Sequence, residues 1–232
     1  MEDKLTAIVL AGGLGTRLRP VVSDMPKCMA NVAGKPFLTY VIDHLRSNGV
    51  QYFIFSLGYM HEVISSFINK NYPGISAFSI EEEPLGTGGA IHKAAELVKS
   101  KTAVVVNGDT LYKVDLNSII PFHHVAGADC TLALKPMDNI SRYGVVDLNN
   151  DYSIRDFKEK QYYASGLING GLYVLNTEKF LKETLPEKFS FEKEYLEKYY
   201  ADRRIYGVIQ DKYFIDIGIP EDYQRAQNEL AE

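Results

Sequence analysis

Residues 10–20, LAGGLGTRLRP, place three glycines and two arginines directly after an apolar run. A strand, a glycine-rich turn and a helix together make a geometry in which backbone N–H groups converge on an anion. Gly12, Gly13 and Gly15 let a ligand approach the backbone closely. Arg17 and Arg19 offer fork-shaped donors to phosphate oxygens, and Pro26-Lys27 adds a third cation nearby. Two commoner phosphate motifs do not fit. Leu18 stands where a dinucleotide fingerprint needs its third glycine, and Gly34-Lys35 is followed by proline, not by the Ser or Thr of a P-loop. An ordinary tight turn with surface arginines is the bland alternative; the arginines together with Lys27 favour phosphate.

Two carboxylates stand out. Asp109, in NGDT, ends a valine-rich run, and the C-terminal edge of a parallel strand is where open α/β sheets place ligands. A carboxylate there suits Mg²⁺, which keeps several waters and takes one or two carboxylates plus substrate phosphates; capping the following turn is the alternative. Asp216, in YFIDIG, interrupts an apolar run. Burying it is costly without a partner or a metal, whereas strand alternation would point it to solvent. The two acids could share one metal ion, but nothing in the order of residues says that they meet. Lys158 and Lys160, in FKEKQ, look alike, and most of the 25 basic residues are expected to be solvated. Cys28 and Cys130 match no metal or redox spacing and read as free thiols in a reducing compartment.

These residues need a frame. Strand-like runs at 5–11, 51–58, 75–82 and 102–109 alternate with helical patterns at 37–49, 61–72 and 90–100, which predicts a parallel sheet covered by helices on both faces. The second half reads as strands at 129–137, 143–149, 152–160 and 168–176, then a charged, aromatic-rich helix at 190–204 opened by Ser190. Two further strands and a closing helix with Pro220 in its first turn follow. No repeat or linker divides the chain, so one domain spans 1–232, with a nucleotide-sized half to about 110 and a second half built onto it. The 46% hydrophobic content supports a sizeable core. A net charge of −5 disfavours nucleic acid as a partner. The acidic start, MEDKL, is not a signal peptide and no run is long enough to cross a bilayer, so the expected location is the cytoplasm, with no membrane partner.

In order, LAGGLGTRLRP with PKCM after it, EEEPLGTGGAI (81–91), NGDT (107–110), FKEK (157–160), INGGLYVL (168–175) and FIDIGIPEDY (214–223) resemble the sugar-1-phosphate nucleotidyltransferases, over nearly the whole chain. The resemblance implies a Rossmann-like, three-layer α/β sandwich with a mixed, mostly parallel central sheet, and the reaction of an NTP with a sugar 1-phosphate to give an NDP-sugar and pyrophosphate. It implies that the glycine loop (Leu10, Ala11, Gly12, Gly13, Gly15, Thr16) cradles the triphosphate and base, with Arg17 on the β- and γ-phosphates, Lys27 on the reacting phosphates, and Gly108 beside them. Leu85, Gly86 and Thr87 would line the base and ribose pocket. Asp109 and Asp216 would hold Mg²⁺, Lys160 the sugar phosphate, Glu159 and Asn169 with Gly170 the sugar hydroxyls, and Gly144 would lie beside the sugar. Tyr143, which precedes Gly144, is the aromatic wall favoured over Tyr162 and Tyr163. Within the family, PLGTGGAI, the FKEK with INGG pair and the short length resemble guanylyltransferases, above all those that use GTP and D-glycero-α-D-manno-heptose 1-phosphate to make a GDP-heptose for surface polysaccharide. The chain ends at Glu232, without the C-terminal β-helix many mannose-1-phosphate guanylyltransferases carry. Gln161 departs from the usual E-K-P, which leaves the backbone around Lys160 less determined. Family analogy suggests a homodimer. The alternatives are other NTP and sugar-1-phosphate pairs, mannose 1-phosphate first among them, and a non-catalytic nucleotide-sugar sensor. A dinucleotide oxidoreductase fails on the fingerprint.

Overall fold

The computed structural model describes residues 4–13, 18, 22, 25–158 and 160–231. Strand β1 (Thr6–Leu10) leads to the glycine loop. A 3₁₀ turn (Lys27–Met29), a small hairpin of β2 (Asn31–Val32) and β3 (Lys35–Pro36), and helix α1 (Phe37–Ser47) follow. Then come β4 (Tyr52–Leu57), α2 (His61–Asn71), β5 (Ser76–Ile80), α3 (Gly86–Ala95), β6 (Thr102–Asn107), β7 (Thr110–Tyr112) and α4 (Leu116–Val125). The second half contains β8 (Cys130–Ile140), β9 (Val145–Leu148), β10 (Ile154–Lys158), β11 (Tyr163–Asn176) and α5 (Thr177–Phe180). A wide π-type turn (Phe191–Leu196) runs into α6 (Glu197–Tyr199), followed by β12 (Ile205–Ile209), β13 (Phe214–Asp216) and α7 (Pro220–Glu229).

Nine strands form one mixed sheet, with β1 between β4 and β6, all parallel. β10 and β11 run opposite to the other seven, so the sheet is mostly parallel in direction. β8 pairs with one edge of β11 along most of its length, so β6 and β9 share the other edge. Side-chain alternation makes three layers. Ala7 and Val9 of β1 pack with Phe37, Leu38, Ile64 and Ala226 on one face, while Ile8 packs with Ile91, Phe180, Phe191 and Tyr195 on the other. Both faces of β1 are buried, which is why it reads as one continuous apolar run.

Two helices differ from their sequence pattern. α3 begins at Gly86 rather than at 90 and ends at Ala95. Glycines disfavour a helix interior, but here they sit in its first turn, where the chain at 187–189 presses against them. The expected helix at 190–204 is the π-type turn plus α6, followed by turns. Ser190 does cap it, accepting from Lys193 N at 3.2 Å. Its aromatic residues are spent on the core: Phe191 and Tyr195 stack at 5.2 Å and both pack edge-on to Phe180. β7, the β2–β3 hairpin, α4 and α5 had no sequence signal strong enough to assign. Cys28 and Cys130 are both free and buried, and among the described residues no helix is long and apolar enough to cross a membrane.

Candidate active site

The C-terminal ends of β1, β4 and β6 open onto a cavity of about 430 Å³ whose lining includes Leu10, Ala11, Gly12, Gly13, Lys27, Ser56, Gly86, Thr87, Asn107 and Asp109. This is the edge where parallel α/β sheets take ligands. The loop after β1 is tied to its neighbours: Ala11 N donates to Ser56 O at 2.9 Å, and Gly108 N to Leu10 O at 2.8 Å. Gly12 is required by packing, since a Cβ there would lie 3.0 Å from Gly58 N. Gly13 faces open space, so its bare backbone is free for a ligand. Glu81, a residue with no separate role in the sequence pattern, fastens the far wall. Its carboxylate accepts from Ser56 Oγ and from Leu85 N, each at 3.0 Å. Leu85, expected in the base and ribose pocket, lines a different groove together with Glu82, Glu83 and Gly89, and Gly108 packs behind Leu10 and Ala11. Gly15, Thr16, Arg17, Arg19 and Glu159 lie outside the described residues.

The two acids do meet. β7 and β13 pair antiparallel with Thr110 opposite Asp216, and Ile217 N donates to Asp109 O at 3.1 Å. Lys27 Nζ stands between them, 2.5 Å from Asp109 Oδ2 and 3.6 Å from Asp216 Oδ1. Gly218 leaves room for this cluster: its N–H donates to Asp216 Oδ1 at 2.7 Å, and a Cβ there would come within 2.9 Å of Lys27 Nζ. Two strand-end carboxylates converging on one cationic position fit a hard divalent cation. Among the described residues no group of three or more His, Cys, Asp or Glu side chains could hold a metal ion. Burial and the Asp109 carboxylate push the Cys28 thiol up to about 12, which removes it as a nucleophile at neutral pH.

A second cavity, of about 270 Å³, adjoins the first and shares Asn107. Its lining includes Tyr143, Gly144, Lys158, Lys160, Asn169, Gly170, Glu192, Lys193 and Asp216; Tyr162 and Tyr163 do not line it. The INGG stretch is a bulge: between Asn169 and Tyr173, β11 advances four residues while β8 advances two. Gly171 takes φ +70 there, with Asn169 Oδ1 accepting from Gly171 N at 3.0 Å. Gly170 sits against the Tyr112 ring, where any Cβ would clash at 2.4 Å. Tyr143 Oη donates to Asp216 Oδ2 at 3.4 Å, and burial, then the Asp216 charge, holds its hydroxyl protonated far above the usual range. The lysines separate. Lys158 Nζ is held by Asp147 at 2.8 Å, whereas Lys160, exposed in the turn after β10, borders the cavity.

The model of the family described as "Nucleotidyl transferase" matches residues 6–232. The chain is 51% identical, over 97% of its length and 98% of the relative's, to a D-glycero-alpha-D-manno-heptose 1-phosphate guanylyltransferase of Aneurinibacillus thermoaerophilus. It is 42% identical, over 94% and 97%, to one of the same name from Campylobacter jejuni. The crystal structure of HddC from Yersinia pseudotuberculosis complexed with GMP-PN superposes with a TM-score of 0.87 at 37% identity, covering 97% of this chain and 99% of that one. Matched across almost its full length, the chain belongs to the nucleotidyl transferase family and is a nucleotidyltransferase.

Proposed function

We propose that the chain transfers GMP from GTP to D-glycero-α-D-manno-heptose 1-phosphate, releasing pyrophosphate, and so makes a GDP-heptose of the kind used in surface polysaccharide. The observation that carries this is the pair of adjoining cavities with Asp109 and Asp216 at their seam. The relatives named for that reaction support the choice of base and sugar. An oxygen of the sugar phosphate attacks the α-phosphorus; the new P–O bond forms as the bond to pyrophosphate breaks. That oxygen is already anionic at neutral pH, so no protein nucleophile or strong base is required. The barrier is the approach of two polyanions, which positioning and electrostatics lower.

Each residue has a part in that approach. The Leu10–Gly13 backbone would hold the nucleotide phosphates, with Arg17 at the leaving pyrophosphate. Lys27, which lines the nucleotide cavity and is paired with the two acids, would add positive charge at the reacting phosphates once a cation took its place between those carboxylates. Gly86 and Thr87 would flank the base and ribose. Lys160 would draw in the sugar phosphate, and Asn169, Gly144 and Tyr143 would shape the sugar pocket, with Glu159 on its hydroxyls. A divalent cation, Mg²⁺ in this proposal, would be held by Asp109 and Asp216 and would neutralise charge on the α-phosphate. A single domain, a homodimeric assembly and a cytoplasmic location belong to the same proposal.

The test is a panel of four NTPs against heptose and mannose 1-phosphates with pyrophosphate release as readout. Release with GTP and the heptose phosphate is expected. Transfer of CMP in place of GMP, or a preference for mannose 1-phosphate, would overturn the base or the sugar.

A further inference from the structure

Glu192, on the π-type turn, borders the acceptor cavity yet reaches the nucleotide cavity's Thr87. Its carboxylate receives three hydroxyls. Thr87 Oγ1 donates to Oε2 at 2.7 Å, Ser190 Oγ to Oε2 at 3.1 Å, and Tyr173 Oη to Oε1 at 3.3 Å. Each hydroxyl is itself an acceptor from a fixed N–H: Phe191 N on Thr87, Lys193 N on Ser190, and Asn169 Nδ2 on Tyr173, at 2.9, 3.2 and 2.9 Å. The Asn169 amide is oriented in turn, because its Oδ1 takes the Gly171 N–H. Every chain of donors therefore ends on Glu192. An ionised carboxylate is the one side chain that accepts at both atoms and donates from neither. Burial and the Glu192 charge keep the Tyr173 hydroxyl protonated, as this direction needs.

We propose that Glu192 is a positioning residue that couples the two cavities, fixing Thr87 on the nucleotide side and Asn169 on the acceptor side through one network, so that binding of either substrate strengthens binding of the other. This rests on the two-substrate reaction proposed above. Thr87 cannot shift without moving the carboxylate, and the carboxylate orients Tyr173 and hence Asn169. Among the described residues Oε1 receives only the Tyr173 hydroxyl, at the longest of the three distances, and a carboxylate offers about four acceptor positions in all. A fourth donor, such as a sugar hydroxyl, has room to bind.

The experiment measures the KM of the sugar phosphate at low and saturating GTP. Wild-type enzyme is expected to show a fall of about fivefold or more, the lower end of ordinary coupling between sites. Glu192→Gln keeps the shape but turns one acceptor into a donor facing a hydroxyl already committed to donating; the fall should disappear. Tyr173→Phe should flatten it too, and the double variant should add nothing. A retained fall in Glu192→Gln, or additive effects in the double variant, would overturn the coupling. Thermal unfolding of the same single and double variants reads the network without turnover. Non-additive Tm shifts support it and additive shifts overturn it, even if the wild-type protein proves inactive on this substrate pair and the functional proposal fails.

Discussion

The two cavities lie side by side on one sheet and are built from opposite materials. The nucleotide cavity begins with four consecutive residues, Leu10–Gly13, at the ends of parallel strands. Along that stretch it presents backbone, which suits an anion of fixed charge and spacing. The acceptor cavity is made where the sheet stops being parallel. It opens along the edge of β11 that β6 and β9 share, and it is lined by side chains from β9, β11, the π-type turn and β13. Side chains from several elements suit a polyol, whose hydroxyls point in many directions. One fold can thus keep its phosphate chemistry while its sugar preference changes at residues far from the glycine loop.

The seam between the cavities carries the largest expected effect. Asp109→Ala and Asp216→Ala should each lower kcat by roughly 10³-fold or more, because the two acids flank one cationic position where the cavities adjoin, the place proposed for the cation. Pyrophosphate release at saturating Mg²⁺ is the measurement. If either variant keeps near wild-type kcat, the assignment of that acid to the cation is wrong.

Each half withdraws a histidine from water, more completely on the acceptor side. On the acceptor side, desolvation and the neighbouring His124 and Lys179 lower His123 to about 4, against the pull of Asp129. It is buried on α4 with Nδ1 3.0 Å from Thr131 Oγ1. The folded chain then refuses a proton that the unfolded chain accepts below 6.5. Stability from this group is full above pH 6.5, falls as pH drops towards 4, and is flat below; at its limit the loss is about 3 kcal/mol. Urea unfolding across that range should show a shallower decline in His123→Gln than in wild type, and equal slopes would refute it. His44, on the nucleotide side, is lowered by burial in the same direction while its Nε2 lies 3.1 Å from Val114 O.

The glycines show what could be read from residue order and what could not. The loop after β1 is legible because its residues are contiguous and follow a buried strand. GTGG looks the same in sequence and has a different cause. A Cβ at Gly86 would meet Phe189 O at 2.5 Å, one at Gly88 the Phe189 ring at 2.1 Å, and one at Gly89 Glu187 O at 2.2 Å. Phe189 is pinned there, its N–H donating to Leu85 O and its carbonyl accepting from Gly88 N. Nothing local announces a contact a hundred residues away, and the same distance hid Glu192 behind Thr87. The meeting of Asp109 and Asp216 was equally hidden, because β7 and β13 are three residues each and too short to show a period. Gly88→Ala should therefore cost stability, about 1–3 kcal/mol by overpacking. Gly13→Ala should leave Tm unchanged and raise the KM for GTP. Equal destabilisation by the two would erase the distinction.

The smallest effect distinguishes two cations of the acceptor cavity that look equivalent in FKEK. Lys158 is neutralised by Asp147, whose carboxyl is held below its ordinary value by the Lys158 hydrogen bond and then by Arg155. An ammonium already paired offers little to an incoming phosphate, and an exposed pair of this kind contributes roughly 0–1 kcal/mol. Lys160 has no such carboxylate among the ion pairs of the described residues, and it stands at the mouth of the cavity. Charge-assisted hydrogen bonds of a lysine to phosphate are worth about 1.5–3 kcal/mol, and the exposure of Lys160 puts it at the lower end. Lys160→Ala should raise the KM for the sugar phosphate about tenfold with kcat changed less. Lys158→Ala should raise it less than about threefold. The reverse ranking would mean that Asp147 releases Lys158 when substrate arrives, and that the paired lysine is the one that binds phosphate.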